Sequence, residues 1–157
     1  MANYGVIDLG SNSVRLVIFD VKDGISKKRP ITCKDFRSII NDKVMAGLSA
    51  YVDASEFTPE GIARAVDVLS GHLKRARYFN CVRTDIFATA VLRNCANSRE
   101  AISAIEKAIG APVNLLSARN EAHLSFTGAS CDRTIEKGTV VDLGGGSTEL
   151  IRVEGGC

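Results

Sequence analysis

Apolar residues recur along the chain with two different periods, and the switches between them outline its elements. Asn3 to Leu9 reads as a strand, followed by a polar turn, GSNS, at Gly10 to Ser13. Val14 to Val21 reads as a second strand, with Val14, Leu16, Ile18 and Asp20 alternating with Arg15, Val17, Phe19 and Val21. Both of its faces are largely apolar near the middle, which predicts cover on both sides. KDG at Lys22 to Gly24 makes a tight turn into a third strand around Ile31 to Ile39, so that an antiparallel meander opens the chain. Asn41 to Glu56 reads as loop with room for a short helix.

The period then becomes helical. Thr58 is a good N-cap and Pro59 suits the first helical position. Ile62, Ala65, Val66, Leu69, Leu73 and Ala76 form one apolar face, and Lys74, Arg75 and Arg77 meet the negative end of the helix dipole. Thr84 to Ala88 is a short strand. NSRE at Asn97 to Glu100 resembles a capping box, opening a helix through Ile102, Ile105 and Ile109 that Gly110 and Pro112 stop. Val113 to Leu116 is the next strand, and Ser117 caps a helix over Ala118 to Gly128. Thr139 to Asp142 and Thr148 to Val153 are strands around a glycine turn. The order βββαβαβα, followed by a hairpin, predicts an α/β fold: a mixed five-stranded sheet with helices on its faces.

Composition narrows the class. At 157 residues, 45% hydrophobic and 24% charged, the chain can bury one good core and is not of disordered type. No apolar run approaches the roughly 20 residues a bilayer span needs, and no signal region precedes the first strand, so a cytoplasmic location is expected. The five cysteines, Cys33, Cys81, Cys95, Cys131 and Cys157, show no CxxC spacing and are odd in number. Neither a zinc site nor a disulfide frame is indicated, and ordinary thiols are expected. A net charge of +2 does not mark a nucleic-acid binder. Lys22, Lys27, Lys28, Arg29, Lys34, Arg37 and Lys43 do crowd one region. The plainer reading is the solvated face of a strand pair, and the alternative is a positive rim for a polyanion. His72 and His123 have no neighbouring triad partners and read as structural or exposed.

The chemistry lies in a repeat. VIDLGSNSVRL, Val6 to Leu16, aligns without a gap on VVDLGGGSTEL, Val140 to Leu150. A core needs apolar residues, but it does not need an Asp, a Gly and a Ser at fixed offsets. Gly144, Gly145 and Gly146 leave backbone amides uncovered, as a loop that cradles an anion requires. Ser147 and Thr148 add hydroxyl donors. Asp142 repels phosphate, so its role is to hold a divalent cation that touches phosphate. Asp8 with Gly10, Ser11, Asn12 and Ser13 offers the same grouping from the first strand pair. Two matched loops suggest two related units gripping one phosphate chain.

Four ordered blocks, GVIDLGSNSVRLVIFDV, FATAVLRNCANS, SARNEAHLSFTGA and GTVVDLGGGSTELI, resemble the exopolyphosphatase/guanosine pentaphosphate phosphohydrolase family. That family falls within the actin-like ATPase, Hsp70 and sugar-kinase superfamily. The resemblance implies two ribonuclease H-like domains closing on a cleft, where water attacks a terminal phosphate with magnesium present. The substrate would be polyphosphate or guanosine pentaphosphate, not a specific nucleic acid and not a membrane. Glu121 matches the family's catalytic carboxylate, and Arg93 its phosphate-contacting arginine. Asp8, Asn12 and Ser13 match the first loop; Asp142, Gly144, Ser147 and Glu149 match the second, with Asp8, Asp142 and Glu149 as metal candidates. Each has a plainer rival: Glu121 as a helix-dipole carboxylate, Arg93 as a surface ion-pair partner, Glu149 turned to solvent. Ala118, Asn120 and His123 depart from the family pattern around Glu121, which bears on substrate preference.

The family's second domain continues well beyond this point. The resemblance therefore implies that residues 1–128 are the first domain and 129–157 the linker and opening hairpin of a truncated second, with weak or no activity alone. An uncovered hairpin suggests a homodimer. A kinase of the same superfamily and a non-catalytic polyphosphate or nucleotide sensor are the other readings.

Overall fold

A computed structural model describes residues 1–22 and 31–155. β1 (Ala2–Leu9) and β2 (Ser13–Val21) form an antiparallel hairpin, with Asp8 opposite Arg15 and Leu9 opposite Val14. β3 (Phe36–Met45) adds to β2, starting later than expected and running to Met45. The reason lies in Asp35. Its carboxylate accepts the Thr32 amide at 2.8 Å and the Thr32 hydroxyl at 2.9 Å, so the residues before Phe36 are spent on a turn. The polar run Asn41, Asp42, Lys43 reads poorly as strand, but an edge strand tolerates it and pairing with β2 fixes its register. Asp23 and Gly24 of the expected KDG turn, and Lys27, Lys28 and Arg29 of the basic run, lie outside the described residues.

After β3 the chain makes a short 3₁₀ turn at Leu48–Tyr51 and a two-residue ribbon, β4 (Val52–Asp53) with β5 (Glu56–Phe57). The short helix was expected; the ribbon was not. It turns through Ala54 and Ser55, both at positive φ, which neither residue type advertises. Leu48 and Phe57 anchor the segment, at 0% and 1% exposure.

α1 (Pro59–Tyr78) starts as read, the Thr58 side chain accepting the Gly61 amide at 3.2 Å. β6 (Cys81–Ala88) then runs parallel to β1. α2 (Ala90–Arg93) is a single unanticipated turn, and α3 (Ser98–Ile109) ends at Gly110 in the left-handed region, φ 68°. The expected capping box does not form. The Asn97 side chain instead clamps the Phe57 backbone, accepting its amide at 2.8 Å and donating to its carbonyl at 3.0 Å. β7 (Asn114–Leu115) pairs parallel with β6, and α4 (Ala118–Ala129) follows, the Ser117 hydroxyl accepting the Asn120 amide at 3.1 Å. β8 (Lys137–Leu143) and β9 (Thr148–Glu154) form a separate antiparallel hairpin beside α4.

The five-stranded sheet has the order β3-β2-β1-β6-β7, mixed as the element order predicts. α1 and α3 cover one face, burying Ile7, Leu9, Val14, Leu16 and Ile18 completely. Each such aliphatic contributes about 1.5–3 kcal/mol by leaving water. β2 is not covered equally on both sides: Arg15, Val17 and Phe19, on the other face, stay half-buried. Alternation puts Asp8, Arg15 and Lys43 on that less covered face, in one row across three strands.

Cys33 and Cys131 form a disulfide with Cα atoms 5.9 Å apart, within the usual bridging range. This corrects the expectation of ordinary thiols for that pair. The two lie 98 residues apart in sequence, so only the fold reveals their proximity. Cys81 and Cys95 are free. His72 is buried, its Nε2–H donating to the Val14 carbonyl at 3.3 Å. Among the described residues no helix is long and apolar enough to cross a membrane.

Candidate functional site

The two aligned segments fold as two equivalent turns. In the β1–β2 turn the Gly10 amide donates to the Ser13 carbonyl at 3.2 Å; in the β8–β9 turn the Gly144 amide donates to the Ser147 carbonyl at 2.9 Å. The strands flanking them match as well, Asp8 standing opposite Arg15 and Asp142 opposite Glu149. The turns face each other across a cleft of about 480 Å³ that both of them line.

Their contact explains two of the three glycines of the second turn, Gly145 and Gly146. A Cβ on Gly145 would lie 2.8 Å from the Asn12 side-chain nitrogen, and one on Gly146 would lie 2.9 Å from the Ser11 Cβ. The first turn supplies side chains, and the second removes them to let the backbones close. Ser11 cannot easily retreat: its carbonyl accepts the Ser49 amide at 2.9 Å, as the Asn12 carbonyl accepts the Gly47 amide at 2.8 Å. The 3₁₀ segment thus splints the first loop from behind.

Glu121 lies in the first turn of α4 and reaches the same cleft. Arg93, at the end of α2, donates to it at 2.6 Å and to the Leu116 carbonyl at 3.0 Å. Both side chains are mostly buried, at 19% exposure for Arg93 and 15% for Glu121. Arg93, expected on phosphate, therefore stands behind Glu121 and outside the cleft lining. Its guanidinium is ion-paired with the Glu121 carboxylate, in a mostly buried pair and not at the surface. Asp142 is tied to α4 by a hydrogen bond from the Ser125 hydroxyl.

Four acidic groups, Asp8, Glu121, Asp142 and Glu149, line the cleft. Asp8 opens onto it, yet burial foremost, then the Glu121 charge, hold its carboxyl above the usual range, and Asp142 adds to the effect. Arg15 pulls the other way. Glu149 is buried at 8% exposure in the cleft wall, not turned to solvent. Thr148, one residue earlier and so on the other side of β9, does not line the cleft, whereas Gly10, Ser13 and Ser147 do.

Among the described residues no three His, Cys, Asp or Glu side chains converge as a metal cage, so Asp8, Asp142 and Glu149 do not together form one. Magnesium asks for less: one or two carboxylates, with phosphate oxygens and water completing its shell. Asp8 and Asp142, hard oxygen donors close enough to repel, fit that demand. Sequence reading missed Arg15 and Thr89, which also line the cleft, as does Lys43, the last residue of the basic run weighed as a rim for a polyanion.

Residues 17–156 match the family model described as the Ppx/GppA phosphatase family. The chain belongs to the Ppx/GppA phosphatase family. It is 29% identical to exopolyphosphatase 2 of Mycobacterium tuberculosis over 96% of this chain and 48% of that protein. It is 31% identical to a guanosine-5'-triphosphate,3'-diphosphate pyrophosphatase of Photobacterium profundum over 97% of this chain and 29% of the other. The crystal structure of an exopolyphosphatase from Cytophaga hutchinsonii superposes with a TM-score of 0.82 at 26% identity, covering 97% of this chain and 46% of that one. This Ppx/GppA chain thus has the actin-like ATPase fold and spans about half the length of the exopolyphosphatases it resembles.

Proposed function

We propose that this cleft serves hydrolysis of a phosphoanhydride bond, releasing the terminal phosphate of inorganic polyphosphate by attack of water. One observation carries the reading: two turns closed by the same hydrogen bond face each other over a cleft that also holds Glu121. Phosphoryl transfer needs little covalent help, so positioning and charge neutralisation supply most of the rate gain. The glycine turns would take the terminal phosphoryl oxygens on backbone amides. Glu121, held by Arg93, would orient the attacking water and accept its proton. Asp8 and Asp142 would hold a magnesium ion, which when bound neutralises phosphoryl charge. Guanosine pentaphosphate offers the same terminal chemistry, as the name of the Photobacterium relative indicates. The lining favours the simpler polyanion, being charged and polar with Met45 and Leu143 as its only large apolar members among the described residues.

Residues 1–128 would form one ribonuclease H-like domain and residues 129–157 the linker and opening hairpin of a second. The separate hairpin supports this, with Val141, Leu143 and Leu150 exposed at 52%, 78% and 71%. Further chain, or a second copy in a homodimer, would cover them. A cytoplasmic site of action suits either substrate. The test is phosphate release from polyphosphate by a protein carrying the whole second domain, with and without magnesium. Glu121→Gln should lower the rate by about 10²–10⁴-fold with folding intact. An unchanged rate removes Glu121 from the mechanism.

A further inference from the structure

The row across β1, β2 and β3 changes sign along its length. Asp8 stands opposite Arg15, and Arg15 opposite Lys43. All three line the cleft. Directly opposed residues of antiparallel strands share a face with Cβ atoms about 5 Å apart, and like charges so placed repel. Asp8 offsets part of the Arg15 charge, but Lys43 is exposed and has no ion-pair partner among the described residues. Nearby carboxylates do not reach it: Asp42 lies on the opposite face of β3, held by Arg75 and beside His72. Two adjacent cations in a cleft are tolerable when an anion is their occasional guest. The charge therefore changes sign across the row, from Asp8 on β1, with Glu121 and Asp142 near it, to Arg15 on β2 and Lys43 on the edge strand β3.

We infer that Lys43 is a specificity-determining residue that binds a phosphoryl group behind the terminal one, so that the substrate chain leaves the cleft across β2 toward the open edge of β3. This rests on the phosphate-binding reading of the glycine turns and adds a direction to it. A terminal phosphate in those turns sits among carboxylates and depends on the bound cation. The phosphoryl groups behind it meet the cationic half of the row. On this reading orthophosphate fills only the terminal position, whereas tripolyphosphate carries two further phosphoryl groups toward Lys43.

Calorimetric titration of the chain with orthophosphate and with tripolyphosphate, each with magnesium, tests this. Lys43→Met should weaken tripolyphosphate binding roughly tenfold or more, the worth of one hydrogen bond to a charged group, and leave orthophosphate unchanged. Lys43→Arg should restore the preference, which a merely structural role would not do. Equal tripolyphosphate affinity in wild type and Lys43→Met overturns the inference while the phosphate reading stands. Equal weakening of both ligands also overturns it, because Lys43 would then act only on the terminal site. No binding of either ligand by wild type removes the phosphate reading and this inference with it.

Discussion

Replacing Gly146 by alanine probes the closeness of the two turns directly. The added Cβ would lie 2.9 Å from the Ser11 Cβ and nearer still to its hydroxyl, where ordinary contact begins at 3.4 Å. The turns must therefore part by about half an ångström or more. Ser11 is buried at 6% exposure and its carbonyl is held by the Ser49 amide, so the first turn resists. The β8–β9 turn, carried on a separate two-stranded sheet, gives way instead. A backbone amide displaced by that much loses its hydrogen bond to a phosphoryl oxygen, a bond to a charged group worth about 1.5–3 kcal/mol. Gly146→Ala should therefore bind tripolyphosphate more weakly by roughly tenfold or more, with its melting temperature little changed because the main core is untouched. Ser11→Gly removes the obstacle, so the double variant should bind better than Gly146→Ala alone, measured by calorimetry as a double-mutant cycle. Wild-type affinity in Gly146→Ala would refute the reasoning, since the turns could not then be in contact. A double variant no better than the single one would refute it too.

Two further outcomes follow from the same coordinates. Gly71 lies inside α1 with nothing within 4 Å of an added Cβ, so Gly71→Ala should stabilise the fold by about 1 kcal/mol, seen as a melting temperature raised by roughly 2–4 °C; a lowered one contradicts it. Burial holds the pKa of His72 below its ordinary 6.5 despite the Val14 carbonyl and the Asp42 carboxylate, itself engaged by Arg75, 3.4 Å from Nδ1. The unfolded chain then binds the proton first, so stability is full above pH 6.5 and falls as pH drops through that value. Urea midpoints should fall more steeply from pH 7.5 to 5.5 in wild type than in His72→Phe, and equal slopes would exclude the histidine as the cause.

How much of this was legible before the structure follows from what each signal encodes. α1 carries its own start in Thr58 and Pro59 and its own face in a 3.6-residue period, so its start was read to the residue and its buried side with it. β3 was misplaced because its extent is set by pairing with β2, and residues such as Asn41, Asp42 and Lys43 hide an edge strand from any pattern of alternation. Asn97 looked like a cap because caps and backbone clamps use the same short amide; only the position of Phe57 decides which bond forms. α2 and the β4–β5 ribbon are too short for any period to show.

The candidate site was more legible than the fold around it, since the repeat sets residue types at fixed offsets, and those offsets survived folding as two turns closed by the same hydrogen bond. The repeat also held information that identity alone passes over. Aligning the two segments sets Arg15 against Glu149, the one offset at which a cation in the first unit answers an anion in the second. Folding puts both in the cleft, each opposite its own unit's aspartate. Asp8 therefore has a cation across its strand pair, while Asp142 has a second carboxylate. Two units with the same turn thus present opposite charge to whatever lies between them. A symmetric pair of loops would grip a phosphate equally from either side and could not orient it. On the proposed reading, the exchange of one arginine for one glutamate in otherwise matching text would supply the polarity that distinguishes the terminal phosphoryl group from those behind it.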